Sequence, residues 1–381
     1  MGFEPLLPEI SIDEVINQIG HGKFHYKILT VVYFLFFQEI SQTALPGIIL
    51  PSLKNEFELT QTQISIYGTC EFLGYFLASI TIGKISDKLG RKRGIIIFQI
   101  IWLIAMLLSL LSTNIYIFMI FRCIITMCCQ NVVFCTYSLV SEIWPNGTRG
   151  IALNSIVLVI LAGFSAISYI ASFIMVDIEN ANWRLLFLIY SGLLLISIFL
   201  NVIFLDESPR YDLFLGNKKR AFITLNKMVK YNLNKENYFE QGKQEQIEKW
   251  TENFNKDVNC LLEDDKKANG CLDNYRKIFK GCYKNTTIII FILWIVNCSN
   301  FFATEFILPT TLAKITNGTD QNPLDILFRI NIIMLPCIIP FIIMVEMEYF
   351  GRKNTLSIIF LIMGISGLSI FFNIFPGITF W

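Results

Sequence analysis

Charge is scarce in this sequence. Only 16% of its 381 residues are Asp, Glu, Lys or Arg, while 54% are hydrophobic. Ordinary soluble domains run at about a quarter charged, so the deficit places most of the chain in lipid. Histidine is nearly absent, and the two present, His21 and His25, are too few for a metal site. The ten cysteines show neither zinc spacing nor a secreted disulfide framework. Many sit inside apolar runs, as Cys128 and Cys129 do, and read as small buried hydrophobes. There is no nucleotide-binding loop, zinc helix or nucleophile motif, which argues against an ATP-driven pump, against enzyme chemistry and against a cofactor. A net charge of +1 gives no reason to expect a nucleic-acid partner. The first 25 residues are polar and acidic, unlike a cleavable signal peptide.

What fills the chain instead is a series of long apolar runs. Spans are expected at 27–50, 63–83, 94–112, 115–140, 151–175 and 185–205, and again at 286–312, 325–346 and 355–375. Each is long enough to cross about 30 Å of hydrocarbon as a helix. The fold class is therefore all-α, a polytopic membrane bundle. It divides into an N-terminal segment (1–25), a six-helix bundle (26–205), a hydrophilic central segment (206–285) and three further helices (286–381). In the N-terminal segment Ser11-Ile12-Asp13-Glu14 reads as a helix start and Gly20 and Gly22 as its end. Alternating Lys and Glu with occasional Phe, Leu and Trp250 predict short amphipathic helices on the inner face of the membrane for 206–285.

Lysine and arginine fix the expected orientation. The outer loops hold only Lys54, Arg184 and Lys314, and the remaining loop cations fall on the other side. That side, carrying the N-terminus and the central segment, is the cytoplasmic one. Of the N-x-[ST] sequons, Asn317 alone falls in an outer loop and could be glycosylated.

One basic stretch, Gly83-Lys84-Ile85-Ser86-Asp87-Lys88-Leu89-Gly90-Arg91-Lys92-Arg93, reads as the short loop between spans two and three. Gly90 suits the strained backbone of a tight reversal, and Asp87 is an anion able to hold a neighbouring helix end or basic group. This G-x-x-x-D-K-x-G-R-K-R spacing resembles the loop 2–3 signature of the major facilitator superfamily. Further stretches carry the same resemblance. Glu142-Ile143-Trp144-Pro145 running to Arg149-Gly150 is similar to an E-x-x-P-x-x-x-R-G element of sugar porters and the organic-cation branch. A glutamate facing an arginine beyond a proline turn can pair with it and latch helix ends. Glu207-Ser208-Pro209-Arg210, with Leu213, Gly216 and Ala221, resembles an element after span six in the same relatives. Trp183-Arg184 is similar to the family's W-R-x-x-F. Asp13 to His25 resembles the pre-helix segment of the synaptic-vesicle-glycoprotein, organic-cation and niacin branch, with His25 in place of glutamine. Glu348-Tyr349-Phe350-Gly351-Arg352-Lys353 is a degenerate second copy of the opening motif, as an internally duplicated transporter predicts.

The resemblance implies a secondary transporter of a small polar or ionic solute, working by alternating access with or without a coupled proton. It implies a gating latch at Gly83, Asp87, Gly90, Arg91, Glu142, Arg149, Glu207, Arg210, Glu348 and Arg352. Polar groups inside the spans are the candidate path, because a charge left in lipid costs a few kcal/mol at least. Glu39, with Gln38, Gln42 and Thr43 on adjoining faces, would carry a proton, pair with a cationic substrate, or stay neutral within the bundle. Glu71 is a second acid, Asn131 adds an amide, and Arg122 stands where relatives keep an arginine before three glycines that are lost here. Arg122 could pair with Glu39 or Glu71. Trp294, Asn297, Asn300 and Phe301 lie at helical spacing and suit either a cavity wall or packed interhelical hydrogen bonds. The family's two halves need twelve spans where nine are read, so the expectation is a C-terminally incomplete sequence whose full product is an ordinary transporter. The alternative is a non-transporting scaffold or subunit, and a complete nine-span chain would call for a partner protein. The plasma membrane is the expected location.

Overall fold

The computed structural model describes residues 11–175, 181–235, 239, 242–253, 284–296, 323–347 and 351–372. All regular structure among them is helical. A short helix α1 (Ile12–Ile19) leads into α2 (Lys23–Glu56), α3 (Gln61–Leu89), α4 (Arg91–Leu110), α5 (Ile115–Ile143), α6 (Asn146–Ile174) and α7 (Trp183–Phe204). The hydrophilic segment then forms α8 (Pro209–Phe214), α9 (Lys218–Leu233) and α10 (242–253). Beyond it come α11 (Lys284–Val296), α12 (Pro323–Glu346) and α13 (Gly351–Phe372). Among the described residues five helices, α2 and α4 to α7, are long and apolar enough to cross a membrane by length and composition.

Local chemistry sets the boundaries. Ser11 and Glu14 form a reciprocal capping box at the start of α1, and Thr60 and Gln63 do the same for α3. Asn114 caps α5, Asn182 caps α7, and Ser208 caps α8 with Pro209 at its first turn. Gly20 ends α1 with φ 68°, a conformation costly to any residue with a Cβ. At 34 residues α2 is about 51 Å long, well beyond the hydrocarbon thickness, so its ends lie outside it.

α2 is the hub. It packs against α5, α6 and α7, and 78% of its apolar window is buried, against 39–56% in the other four spanning helices. Those four leave an apolar outer face exposed, as Phe173, Leu195 and Phe199 show, which is the surface lipid would cover. Trp102, Trp183, Phe118 and Phe187 fill the interior between α4, α5 and α7. α12 lies along α6, with the Tyr169 and Phe328 rings 4.8 Å apart. The amphipathic helices expected in 206–285 are present as α8 to α10. α9 buries Ala221, Phe222, Leu225, Met228 and Val229 while its Lys and Arg residues face out. The predicted span 286–312 is seen as a helix to Val296, and its remainder lies outside the described residues.

Candidate functional site

The basic stretch 83–93 is not a loop. α3 continues through Leu89, α4 begins at Arg91, and Gly90 alone makes the reversal. Helix on both sides keeps backbone donors and acceptors bonded at the membrane edge, which an irregular loop would not. The reversal needs φ 91° at Gly90. It also needs room, since a Cβ there would meet a Glu207 carboxylate oxygen at 2.7 Å and the Tyr211 ring at 2.8 Å. Gly83 and Asp87 lie within α3, and the contacts of the Asp87 side chain are outside the described set.

Around this turn the chain gathers residues far apart in sequence. The Glu207 carboxylate accepts the backbone N–H of Arg91 at 2.9 Å and of Lys92 at 3.1 Å. It thus closes the open end of α4, where an anion meets both free donors and the positive end of the helix dipole. The Arg91 guanidinium donates to Glu142 at 2.9 Å and to the Ser86 carbonyl at 3.2 Å, and stacks 4.9 Å from the centre of the Tyr211 ring. Ser138 donates a second bond to the same Glu142 oxygen at 2.9 Å. Tyr211 in turn donates to the Lys88 carbonyl at 3.1 Å. One arginine therefore ties together the ends of α3, α4, α5 and α8.

The expected Glu142–Arg149 pair does not form. Glu142 faces Arg91, and Arg149 instead donates to the Trp144 carbonyl at 3.1 and 3.3 Å, closing its own proline turn. Arg210 pairs with Asp13 and so fastens α8 to α1. Arg352 is in the first turn of α13, with its side chain outside the described set, and Glu348 lies outside the described residues.

A second cluster lies within the helical bundle. Arg122 of α5 is fully buried and forms an ion pair with Glu71 of α3, which settles the choice between Glu71 and Glu39. Two atoms of the guanidinium, Nε and Nη1, find no further partner among the described residues. Glu39 is 9% exposed and makes no ion pair among the described residues, while Thr43 donates to its backbone carbonyl at 3.2 Å and lies 3.3 Å from the Tyr75 hydroxyl. Gln38 and Gln42 are buried with both carboxamides unpartnered among the described residues. Asn131 donates to Thr81 at 3.4 Å. Trp294 is 62% exposed on α11, and Asn297, Asn300 and Phe301 lie outside the described residues.

Two networks were missed by sequence reasoning. Gln99 donates to Ser197 at 3.0 Å and accepts from Asn201 at 2.8 Å, stitching α4 to α7. Both amides interrupt apolar runs, the signal that singled out Glu39. The other centres on Asn232, which accepts the Phe24 N–H at 3.0 Å and donates to the Gly20 carbonyl at 2.9 Å. It also lies 3.1 Å from Nδ1 of buried His25, whose Nε2 is 3.3 Å from the Ile143 carbonyl. A lone asparagine in a polar helix gives no such signal.

A transmembrane bundle with charge buried at its centre and an interlocked basic turn at one end defines a class, the multi-pass membrane proteins. The Major Facilitator Superfamily profile matches residues 32–381, and the chain belongs to that family. It is similar to svop-1 of Caenorhabditis elegans, at 24% identity over 95% of this chain and 68% of that protein. Organic cation/carnitine transporter 7 of Arabidopsis thaliana is 27% identical over 58% of this chain and 43% of its own length. Synaptic vesicle 2-related protein of Xenopus laevis is 22% identical over 94% and 64%. The chain thus spans roughly two fifths to two thirds of the length of these curated relatives. In fold it resembles the xylose transporter XylE from E. coli, in a partially occluded inward-open conformation. The TM-score is 0.67 at 17% identity, over 94% of this chain and 82% of XylE.

Proposed function

We propose that this chain carries a small polar or ionic solute across a membrane by alternating access, with the Arg91 interlock as the latch of its cytoplasmic side. The observation that carries this is the buried polar centre inside an apolar-faced bundle: Glu39, Gln38 and Gln42 without ion-pair or carboxamide partners among the described residues, beside the Arg122–Glu71 pair. Groups left so in hydrocarbon are costly, and a transported solute or proton is what they can serve. Glu39 is assigned the coupling or charge-selecting role, with Glu71, Arg122 and Asn131 along the path. Trp294, Asn297, Asn300 and Phe301 would line the facing wall.

In the latch, Glu142, Glu207, Arg210 and Arg149 hold helix ends in the state where this side is closed, and breaking the Arg91–Glu142 pair frees them. Asp87, Glu348 and Arg352 would act with them. The N-terminus and central segment are assigned to the cytoplasm, in the plasma membrane, from the distribution of Lys and Arg. The relatives' names include an organic cation/carnitine transporter, which puts organic ions first in a substrate panel, with sugars and vitamin-like solutes after them. The test is uptake of a radiolabelled panel into proteoliposomes at several pH values, for the natural chain and for Glu39→Gln. The variant should insert normally while uptake, or its response to pH, falls. Uptake identical to the natural chain at every pH would remove Glu39 from the mechanism.

A further inference from the structure

Beside the α3–α4 reversal, on the side of α8 and α9, lies a cavity of about 350 Å³ bordered by Glu207 and Tyr211 of the interlock. Acids and bases both line it, but two of the three acids are already engaged. Asp206 accepts from Lys227 at 2.7 Å, and Glu207 is spent on the α4 amides. Asp212 is only 3% exposed, and burial, with Glu207 adding to it, pushes its carboxyl up to about 6. Of the bases, Lys92 donates to the Val202 carbonyl at 3.1 Å. Lys88, Arg93 and Arg220 stay exposed around the cavity and make no ion pair among the described residues. Three cations therefore face an opening whose one acid outside these bonds is the buried Asp212. The rim is apolar: Leu215 is 48% and Ile223 57% exposed, and the exposed Val202 and Ile203 of α7 continue that surface toward the spanning region.

We infer that this cavity is a site for the phosphate-bearing headgroup of an anionic phospholipid, drawn from the leaflet that the α3–α4 reversal faces. The inference rests on the membrane placement proposed above. Arginine forks match phosphate oxygens in pairs, and a cation near an anionic leaflet is worth about 1 kcal/mol. A free phosphate would satisfy the cations but leave the apolar rim exposed, whereas acyl chains cover it along α7.

The full chain, purified in detergent, is titrated with phosphatidylglycerol, phosphatidylcholine or inorganic phosphate, and bound lipid is counted by native mass spectrometry. The natural chain should retain phosphatidylglycerol at least about tenfold more tightly than phosphatidylcholine, and millimolar inorganic phosphate should not displace it. Joint Arg93→Gln and Arg220→Gln should weaken phosphatidylglycerol about thirtyfold, the loss of two such cations. Arg93→Lys with Arg220→Lys should keep most of the affinity, and Lys54→Gln, on the far side, all of it. Should the double variant not fold, Lys88→Gln alone should weaken binding about fivefold. Equal retention of both lipids by the natural chain, or no loss in these variants, overturns the site. Displacement by inorganic phosphate overturns the lipid assignment. Retention is read without transport, so a chain that prefers phosphatidylglycerol but moves no solute counts against the transport proposal alone.

Discussion

Removing Glu71 should be among the most damaging single changes in the bundle. The Glu71→Ala substitution leaves the Arg122 guanidinium with no counter-charge among the described residues, in a place where its side chain is 0% exposed and two of its nitrogens already lack a partner among them. Breaking one half of a buried pair costs about 3–5 kcal/mol, because the remaining charge stays desolvated. At about 4 kcal/mol, the folded-to-unfolded ratio falls about a thousandfold. The pair as a whole is a different matter. Two ions removed from water recover little beyond their desolvation, so an apolar replacement of both can be neutral or stabilising. Glu71→Leu with Arg122→Met should therefore fold to within about 1 kcal/mol of the natural chain, or above it. Buried Trp102 and Trp183 make intrinsic fluorescence a direct readout of unfolding in detergent. A double-mutant cycle then reports strong non-additivity of opposite sign to the single losses. A Glu71→Ala cost below about 1 kcal/mol, or a double variant as unstable as the sum of its parts, would refute the account. Transport separates stability from function, since the apolar pair should fold and yet carry solute poorly if the pair lies on the path.

Three further outcomes follow from the interlock. Glu207→Ala removes the acceptor shared by the Arg91 and Lys92 amides and should lower stability by about 1–3 kcal/mol, with Glu207→Gln milder, as read by thermal unfolding. Gly90→Ala forces a Cβ into a left-handed turn against Glu207 and Tyr211 and should cost at least about 1–2 kcal/mol, with Tyr211→Ala failing to restore it fully because the backbone term remains. Asp212 has its carboxyl raised from 3.8 to about 6 by burial first, then by Glu207, against the opposing pull of Arg220 and Arg93, with Lys88 and Lys92 lining the same cavity. A raised value means the folded chain holds this proton more tightly than the unfolded one. Its contribution to stability is present in full below pH 4 and is lost as pH rises through about 6. Asp212→Asn should flatten that part of the stability–pH curve and stabilise the chain at pH 7.5 by about 1–2 kcal/mol after screening; an unchanged slope between pH 5 and 7 would show that the carboxyl titrates elsewhere.

The helices were legible in the sequence because a membrane span is a local statement. Length, hydropathy and caps such as Thr60–Gln63 and Ser208 are written within a few residues of each boundary. The described helices of the first bundle begin near the expected places, though α3 runs on through the stretch read as a loop. The motif residues were legible too, but their partners were not. Arg91 and Glu142 are 51 positions apart, and Glu207 reaches the Arg91 amide across 116. Nothing local distinguishes Arg149 from Arg91 as the mate of Glu142, and the nearer candidate in sequence was the wrong one. The choice is made by where the ends of α4 and α5 meet, which only the packing of those two helices decides. The same holds for Arg122, whose two candidate acids lay on different helices.

Interlocks of this kind act as one unit because each bond is anchored on a different helix. The Arg91 side chain spans α3, α4 and α5, Glu207 joins α4 to the segment before α8, and Asp13–Arg210 joins α8 to α1. Asn232 of α9 clasps the turn between α1 and α2 through Gly20 and Phe24, and Asn17 of α1 accepts the Asn146 N–H at the start of α6. Every helix from α1 to α6 therefore ends in a network that also holds α8 and α9. A rigid-body motion of this bundle can proceed without disturbing any of these bonds, while a motion that separates α5 from α4 must break Arg91–Glu142. The cost of that break is a partly buried charge pair opened to water, which in the proposed latch would be small enough to cross and large enough to give the closed side a defined geometry. The headgroup site proposed beside the same reversal would place lipid composition in a position to bias the proposed latch.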